Sequence, residues 1–154
     1  MIGIRALQPD EVEGVDRVLP LSRLGGEGDY LVAWDDAAPV GHAFVAWAGT
    51  ELGLPEIQDV YVLPERRGQG VGTALMEAVE QTAVSRGHDR CSIGTGIANA
   101  GARRLYERLG YARANVPPKR VRGPITIRGE LVEIDDTLLY FTKRLVDSGG
   151  SRSS

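Results

Sequence analysis

Apolar positions recur along this chain at two different periods, and each change of period marks an element. Ile2 to Leu7 alternates loosely and predicts a first strand. Pro9-Asp10 is a helix start signal, followed by Val12, Val15 and Val18 at helical spacing as far as Leu19. Gly25, Gly26 and Gly28 interrupt the pattern before Tyr30 to Trp34, which reads as a strand. Asp35 to Pro39 is turn chemistry, and Val40 to Trp47 completes a hairpin. Glu56 to Leu63, with Ile57, Val60 and Val62, predicts the next strand. From Val71 the period lengthens. Val71, Ala74, Leu75, Ala78, Val79, Thr82 and Ala83 form one helical stripe, and Gly87 is placed to end it. Arg90 to Thr95 is again strand-like. Asn99 is an N-cap for a second helix whose stripe is Ala102, Leu105, Tyr106 and Leu109, with Gly110 just past its end. Tyr111 opens an extended segment, and Asp136 to Leu145 reads as a last strand.

The predicted order is β, α, then β-β-β-α-β-α-β-β. The strand–helix–strand unit from Glu56 to Thr95 is expected to be parallel and right-handed, and the earlier hairpin antiparallel. That is an α/β architecture around a mixed sheet. The chain has 154 residues, 42% of them apolar, enough for one domain over 1–146. The tail 147–154, rich in Ser and Gly, is expected to be disordered. A net charge of −3 argues against a general nucleic-acid binder, which needs a basic footprint. No leader is expected at the start, where Asp10, Glu11, Glu13 and Asp16 follow almost at once and no apolar run precedes them. The longest uncharged run, Ala37 to Thr50, is too short to span a bilayer, so no membrane contact is expected. Cys91 is the single cysteine, which excludes an internal disulfide and points to a reducing, cytoplasmic setting. His42 and His88 do not cluster with other ligand types, so no metal is expected.

Glycine is overrepresented, at 20 residues, and its placement carries chemistry. Arg66, Arg67, Gly68, Gln69, Gly70, Val71, Gly72 and Thr73 lie between a predicted strand and the striped helix. The first N–H groups of a helix have no intrahelical partner, and the helix dipole adds positive character there. Glycines let a ligand approach the backbone, so the segment suits a phosphate or pyrophosphate. The dinucleotide fingerprint fails on spacing, because the third glycine comes one residue early. A P-loop fails too, because no lysine precedes Thr73.

Arg67-x-x-Gly70-x-Gly72 resembles the acyl-CoA loop of the GNAT N-acetyltransferases, written Arg/Gln-x-x-Gly-x-Gly/Ala. Asn99, Ala102, Leu105, Tyr106, Gly110 and Tyr111 are similar to that family's second signature, Asn-x-x-Ala-x-x-Leu-Tyr-x-x-x-Gly-Phe/Tyr. Pro39 to Phe44 resembles the strand that precedes the CoA strand. The matches span 39–111, and the flanks agree only in element order. The resemblance implies a GNAT fold: a mixed, mostly antiparallel sheet with a central parallel strand pair, flanked by helices. It implies acetyl-CoA as co-substrate and direct transfer of the acetyl group to a primary amine in a ternary complex. A homodimer is expected, since dimers are common in the family. It implies that Val60, Tyr61 and Val62 present a free strand edge to the pantetheine arm. It also implies that Gly68, Gln69, Gly70, Val71, Gly72 and Thr73 hold the pyrophosphate. Arg67 stands at the loop entrance, and Asn99 contacts the cofactor arm or a bound water.

The implied reaction needs three aids. A lysine-like amine has a pKa near 10.4, so a base must take its proton. A backbone N–H must stabilise the developing oxyanion. A donor must protonate the departing thiolate, and Tyr106 matches the family tyrosine that does so. The base candidates are Glu56, preferred, and Asp59; a water chain is a third route. Glu56 and Asp59 are three residues apart, so on a regular strand they face opposite ways unless a bulge re-aims one. Cys91 reads as a small buried hydrophobe in preference to an acyl-carrying nucleophile. Ala112 to Gly129 carries Arg113, Lys119, Arg120, Arg122 and Arg128 and no acid. It reads as a solvated loop that pairs with Glu130, Glu133, Asp135 and Asp136, or else as a wall of the acceptor pocket or a dimer contact. A small-molecule amine is favoured as acceptor. The alternatives are a protein amino group, or a non-catalytic acyl-CoA sensor.

Overall fold

The structure is a computed structural model, and residues 1–127 and 129–145 are described; Arg128 and the tail from 146 lie outside the described residues. The elements are β1 (Ile2–Ala6), α1 (Val12–Val18, entered through a 3-10 turn at Pro9–Glu11), β2 (Gly28–Asp35), β3 (Ala38–Ala46) and β4 (Glu56–Val62). They continue with α2 (Val71–Ser85), β5 (Arg90–Gly96), α3 (Ala100–Arg108), β6 (Ala112–Arg113), β7 (Lys119–Ile127) and β8 (Glu130–Arg144). The strands form one sheet in the order β1-β2-β3-β4-β5-β8-β6, with β7 also on β8. Every pairing is antiparallel except β4–β5, the expected parallel pair.

That parallel pair is short. Glu56 lies opposite Ser92 and Ile57 opposite Ile93, and no further rung follows. Two apolar clusters cover the two faces. On one face, the α2 residues Val71, Leu75, Met76, Val79 and Ala83 are buried with Ile57, Cys91, Ile93 and Phe141. On the other, Val15, Leu19 and Leu21 pack on Tyr30, Val32 and Phe44. Removing a side chain such as Leu75, which is fully buried, costs about 2–5 kcal/mol in cores of this kind. Gly41 sets how closely α2 approaches β3: a Cβ there would sit 3.2 Å from both Leu75 and Val71 and 3.0 Å from the Tyr61 carbonyl.

Two local features depart from simple periodicity. The β3–β4 register shifts between Ala43 and Phe44, with Ala43 opposite Val60 and Phe44 opposite Gln58. Asp59 is the extra residue of this β-bulge. The second departure is β7. The sequence predicts an extended segment opening at Tyr111, a solvated loop or pocket wall over 112–129 and a last strand from Asp136, whereas Lys119–Ile127 forms a strand and β8 begins at Glu130. Pro124 and Gly123 weaken any strand signal, and β7 tolerates them because it is an edge strand. Its alternation is also charged where a core strand's would be apolar, since the ribbon extends beyond the core; Leu131 of β8 is 77% exposed. Among the described residues, the basic segment pairs with the acidic run where Arg120 donates to both carboxylate oxygens of Asp135 at 2.9 and 2.8 Å. Lys119 instead reaches Glu51 in the β3–β4 loop, at 2.6 Å. Among the described residues no helix is long and apolar enough to cross a membrane.

Candidate functional site

Because β4 and β5 part after Ile57, the edge of β4 from Gln58 onward has no ladder partner on the β5 side. A cavity of about 660 Å³ lies beside that edge, between the end of β4, the turn into α2, and α3. Val60, Tyr61 and Val62 form one wall. Gly68, Gly70, Val71, Gly72 and Thr73 form the end, with Arg66 and Arg67 at its rim. Asn99, Ala102, Leu105, Tyr106 and Arg108 of α3 form the opposite wall.

The loop's shape follows from its glycines. Gly68 and Gly70 have φ of +77° and +87°. A Cβ at either would meet nothing within 4 Å, so the requirement is for the left-handed backbone and not for space. Gly70 caps α2, its carbonyl accepting from the Ala74 N–H at 3.0 Å. The N–H groups before Ala74 have no intrahelical acceptor, and the first turn carries no acid to neutralise them. Arg67 is fixed rather than free: its Nε donates to the Val62 carbonyl at 2.9 Å, and its guanidinium lies 5.4 Å from the Tyr61 ring centre. Arg66 is held by Asp35 at 2.7 Å. Gln69 turns away from the cavity and donates to the Glu65 carbonyl at 3.3 Å. Arg66, Ala102, Leu105 and Arg108 were not anticipated as lining residues. Ala102 and Leu105 carry an apolar stripe that is also what a core face shows, so periodicity alone does not separate the two.

Asn99 caps α3, its Oδ1 accepting from the Ala102 N–H at 3.1 Å. Tyr106, about two turns along the same face, is 8% exposed, and its hydroxyl has no hydrogen-bond partner among the described residues. Burial pushes its pKa above the ordinary phenol value, so it holds its proton at neutral pH. Tyr111, edge-on to Tyr106 at 6.3 Å, donates to Glu80 at 2.7 Å. Cys91 Sγ lies 3.2 Å from the same hydroxyl, and Lys143 donates to Glu80 at 3.0 Å. Burial pushes the Cys91 thiol up to about 11, against thiolate formation. The cysteine belongs to this buried network and does not line the cavity.

Glu56 and Asp59 lie outside the cavity, on the α1 side of β4. The bulge places both there: Ile57, Val60 and Val62 pack on the α2 cluster, while Tyr61 packs on the α1 cluster. The opposite-face expectation for a regular strand therefore does not apply here. Asp59 Oδ2 accepts from Tyr30 Oη at 2.6 Å and from the Ser22 N–H at 3.1 Å. It ties the α1–β2 connection to β4. His42 sits beside it, fully buried, with Nδ1 3.1 Å from the Asp59 carbonyl and Nε2 2.8 Å from the Pro20 carbonyl. Glu56 differs. It is 7% exposed, Oε2 accepts from Gln58 Nε2 at 3.2 Å, and Oε1 is buried without a partner. It stands where β4 and β5 begin to part.

The model of the acetyltransferase (GNAT) family matches residues 6–111. An uncharacterized N-acetyltransferase of Methanocaldococcus jannaschii is 33% identical over 96 residues, 58% of this chain and 42% of that protein. The aminoalkylphosphonate N-acetyltransferase of Salmonella typhimurium is 37% identical over 62 residues, 40% of each chain. The chain thus spans less than half the length of these curated relatives. Among solved structures, a GNAT acetyltransferase from Elizabethkingia anophelis with acetyl-CoA bound superposes with a TM-score of 0.64 at 22% identity, covering 94% of this chain and 98% of that one. The ribosomal-protein-S18-alanine N-acetyltransferase of Escherichia coli gives 0.68 at 19% identity, covering 94% of both. These likenesses show the fold, and the family match over more than half the chain, with both signatures on one cavity, shows that this chain belongs to the acetyltransferase (GNAT) family.

Proposed function

We propose that the protein is an N-acetyltransferase that uses acetyl-CoA and passes the acetyl group directly to a primary amine. The observation that carries this reading is the cavity itself: a free strand edge, a backbone-lined anion cradle and a buried, protonated tyrosine meet in one space. Acetyl-CoA supplies the activated acetyl group. The N–H groups of the α2 first turn and of Gly68 to Gly72 suit its pyrophosphate, and no side chain intrudes on Gly68 or Gly70. The unpaired edge of Val60 to Val62 suits the amide-bearing arm and a carbonyl oxygen. Asn99 retains its Nδ2 donors for the same ligand, since its Oδ1 is committed to the cap. Tyr106 delivers a proton to the departing thiolate. Glu56, with an unpartnered oxygen at the parting of the strands, takes the proton from the amine. Asp59 is the weaker base candidate, because its carboxylate is already engaged by Tyr30 and Ser22.

A small-molecule acceptor is favoured, in keeping with the aminoalkylphosphonate enzyme among the curated relatives. The test is calorimetric titration with acetyl-CoA, CoA and NAD, followed by turnover across a panel of small amines and peptide N-termini. Saturating acetyl-CoA at 100 times Kd should stabilise the fold by about 2.7 kcal/mol, and NAD should do nothing. No binding of either CoA form sinks the reading. Binding without turnover on any amine leaves an acyl-CoA sensor in its place.

A further inference from the structure

We propose that the groove between α3 and β6 is a second anion site, separate from the loop cavity, which holds the phosphoryl groups of a small, multiply charged molecule. The groove has a volume of about 240 Å³, with Arg103, Arg104 and Glu107 on one side, Arg113 on the other, and Leu139 and Phe141 as its floor. It is not an extension of the loop cavity. At 100° per residue, Arg103, Arg104 and Glu107 fall on the side of α3 away from Ala102, Leu105 and Tyr106, so the helix itself separates the two spaces. Arg113 lies opposite Phe141 in the β6–β8 pairing, which puts its side chain on the same face of the sheet as that ring.

Three observations point to an anion. First, Arg103, Arg104 and Arg113 make no ion pair among the described residues, a condition shared with arginines such as Arg90, Arg122 and Arg144, but here three of them line one groove. Glu107 shares the groove but comes within salt-bridge distance of none of them, so the groove carries an excess of positive charge in a chain whose net charge is −3. Second, Nε of Arg103 is buried and has no hydrogen-bond partner. A guanidinium cannot shed its proton, so the Arg103 charge persists, and with Nε sealed from solvent an anion in the groove is left to its Nη groups. Third, the donors come from two elements, and planar forks approaching from two sides match a group with three acceptor oxygens better than a carboxylate with two. Water in the groove would solvate the exposed guanidinium nitrogens but would not offset the charge of three guanidinia.

The experiment titrates inorganic pyrophosphate and phosphate into the protein saturated with CoA, at constant ionic strength, by calorimetry and thermal melting. CoA occupies the loop cavity, so any response arises elsewhere. Pyrophosphate should bind and raise Tm. Arg103→Gln and Arg113→Gln should each weaken it at least about tenfold, the loss of one charge-assisted hydrogen bond. Arg122→Gln, on β7 and outside the groove, should leave it unchanged, and unaltered CoA affinity shows that each variant is folded. A nucleoside diphosphate arm separates the sources: equal affinity means that only the phosphoryl groups are held, and tighter binding means that a nucleotide is. No response at millimolar pyrophosphate overturns the proposal. So does equal weakening by Arg122→Gln, which would mean a diffuse field with no site, and so does binding that neither groove variant alters.

Discussion

The two faces of β4 are built from different materials. Toward α2 and α3, the cavity wall is backbone: an unpaired strand edge, left-handed glycines at 68 and 70, and a helix start with no acid in its first turn. Toward α1, the same strand carries a side-chain network. Asp59 holds Tyr30 and Ser22, His42 lies between Tyr30 and Tyr61 with ring centres 5.1 and 5.9 Å away, and Gln58 bridges Arg23 and Glu56. Backbone donors recognise a ligand feature that never varies, such as a pyrophosphate. A side-chain network can differ from one chain to the next and can therefore set which acceptor enters. Within that second face, Glu56 and Asp59 have opposite lots: one keeps a free oxygen, the other is fully engaged.

Four substitutions probe this contrast. The largest effect is expected from Tyr106→Phe, which should lower kcat by about 10²- to 10⁴-fold, the usual reach of a general acid. Acetyl-CoA affinity, measured by calorimetry, should stay within about twofold, because the hydroxyl is invoked only for the departing thiolate. Burial raises the Tyr106 pKa above its ordinary value of 10.0, so the donor is lost only above that pH and not below it. An alkaline limb from this group in the rate profile should therefore lie above pH 10 and vanish in the variant. Glu56→Gln should lower kcat about 10²-fold at neutral pH. The deficit should shrink as pH rises toward the amine's own pKa of about 10.4, where the substrate no longer needs the base. A pH-independent deficit would make Glu56 a binding group.

Asp59→Ala is the counterpart on the engaged carboxylate. It leaves Tyr30 Oη and the Ser22 N–H without their acceptor, so urea unfolding should show a loss of about 1–3 kcal/mol. Its kcat should be much less affected than that of Glu56→Gln; the reverse ranking would exchange their roles. Gly70→Ala tests the backbone face. Forcing φ of +87° on an L-residue should cost about 1–2 kcal/mol of stability and should weaken acetyl-CoA binding, while an unchanged affinity would detach the loop from the cofactor.

Much of the backbone face was legible in the chain. Glycine spacing, the change from strand to helix period before Val71, the Asn99 cap and the stop at Gly110 are local signals, and local signals survive without knowledge of the fold. The cavity gathers the loop glycines, Val71 and Asn99, but neither Gln69 nor Gly110. The side-chain face was not legible. Whether Glu56 and Asp59 share a side depended on a bulge created by the β3–β4 register, a relation between residues some 15 positions apart. The β7–β8 ribbon was missed because an exposed two-stranded arm has no apolar alternation to report, and Pro124 argues against a strand until its edge position is known.

The sequence by itself determined the element order around the loop, the glycine-built turn into a helix start between Gly68 and Thr73, and the presence of Tyr106 on one helical face with Asn99. These follow from φ preferences, capping and periodicity, which act within a few residues. Only the tertiary structure decided that β4 and β5 part after two rungs, that Asp59 is held by Tyr30 and Ser22 while Glu56 keeps one oxygen unpartnered, that Cys91 meets the Tyr111 hydroxyl, and that Arg103, Arg104 and Arg113 converge on one groove. Each of those depends on which strands pair and which side chains are excluded from water, and neither is encoded within any single stretch of the chain.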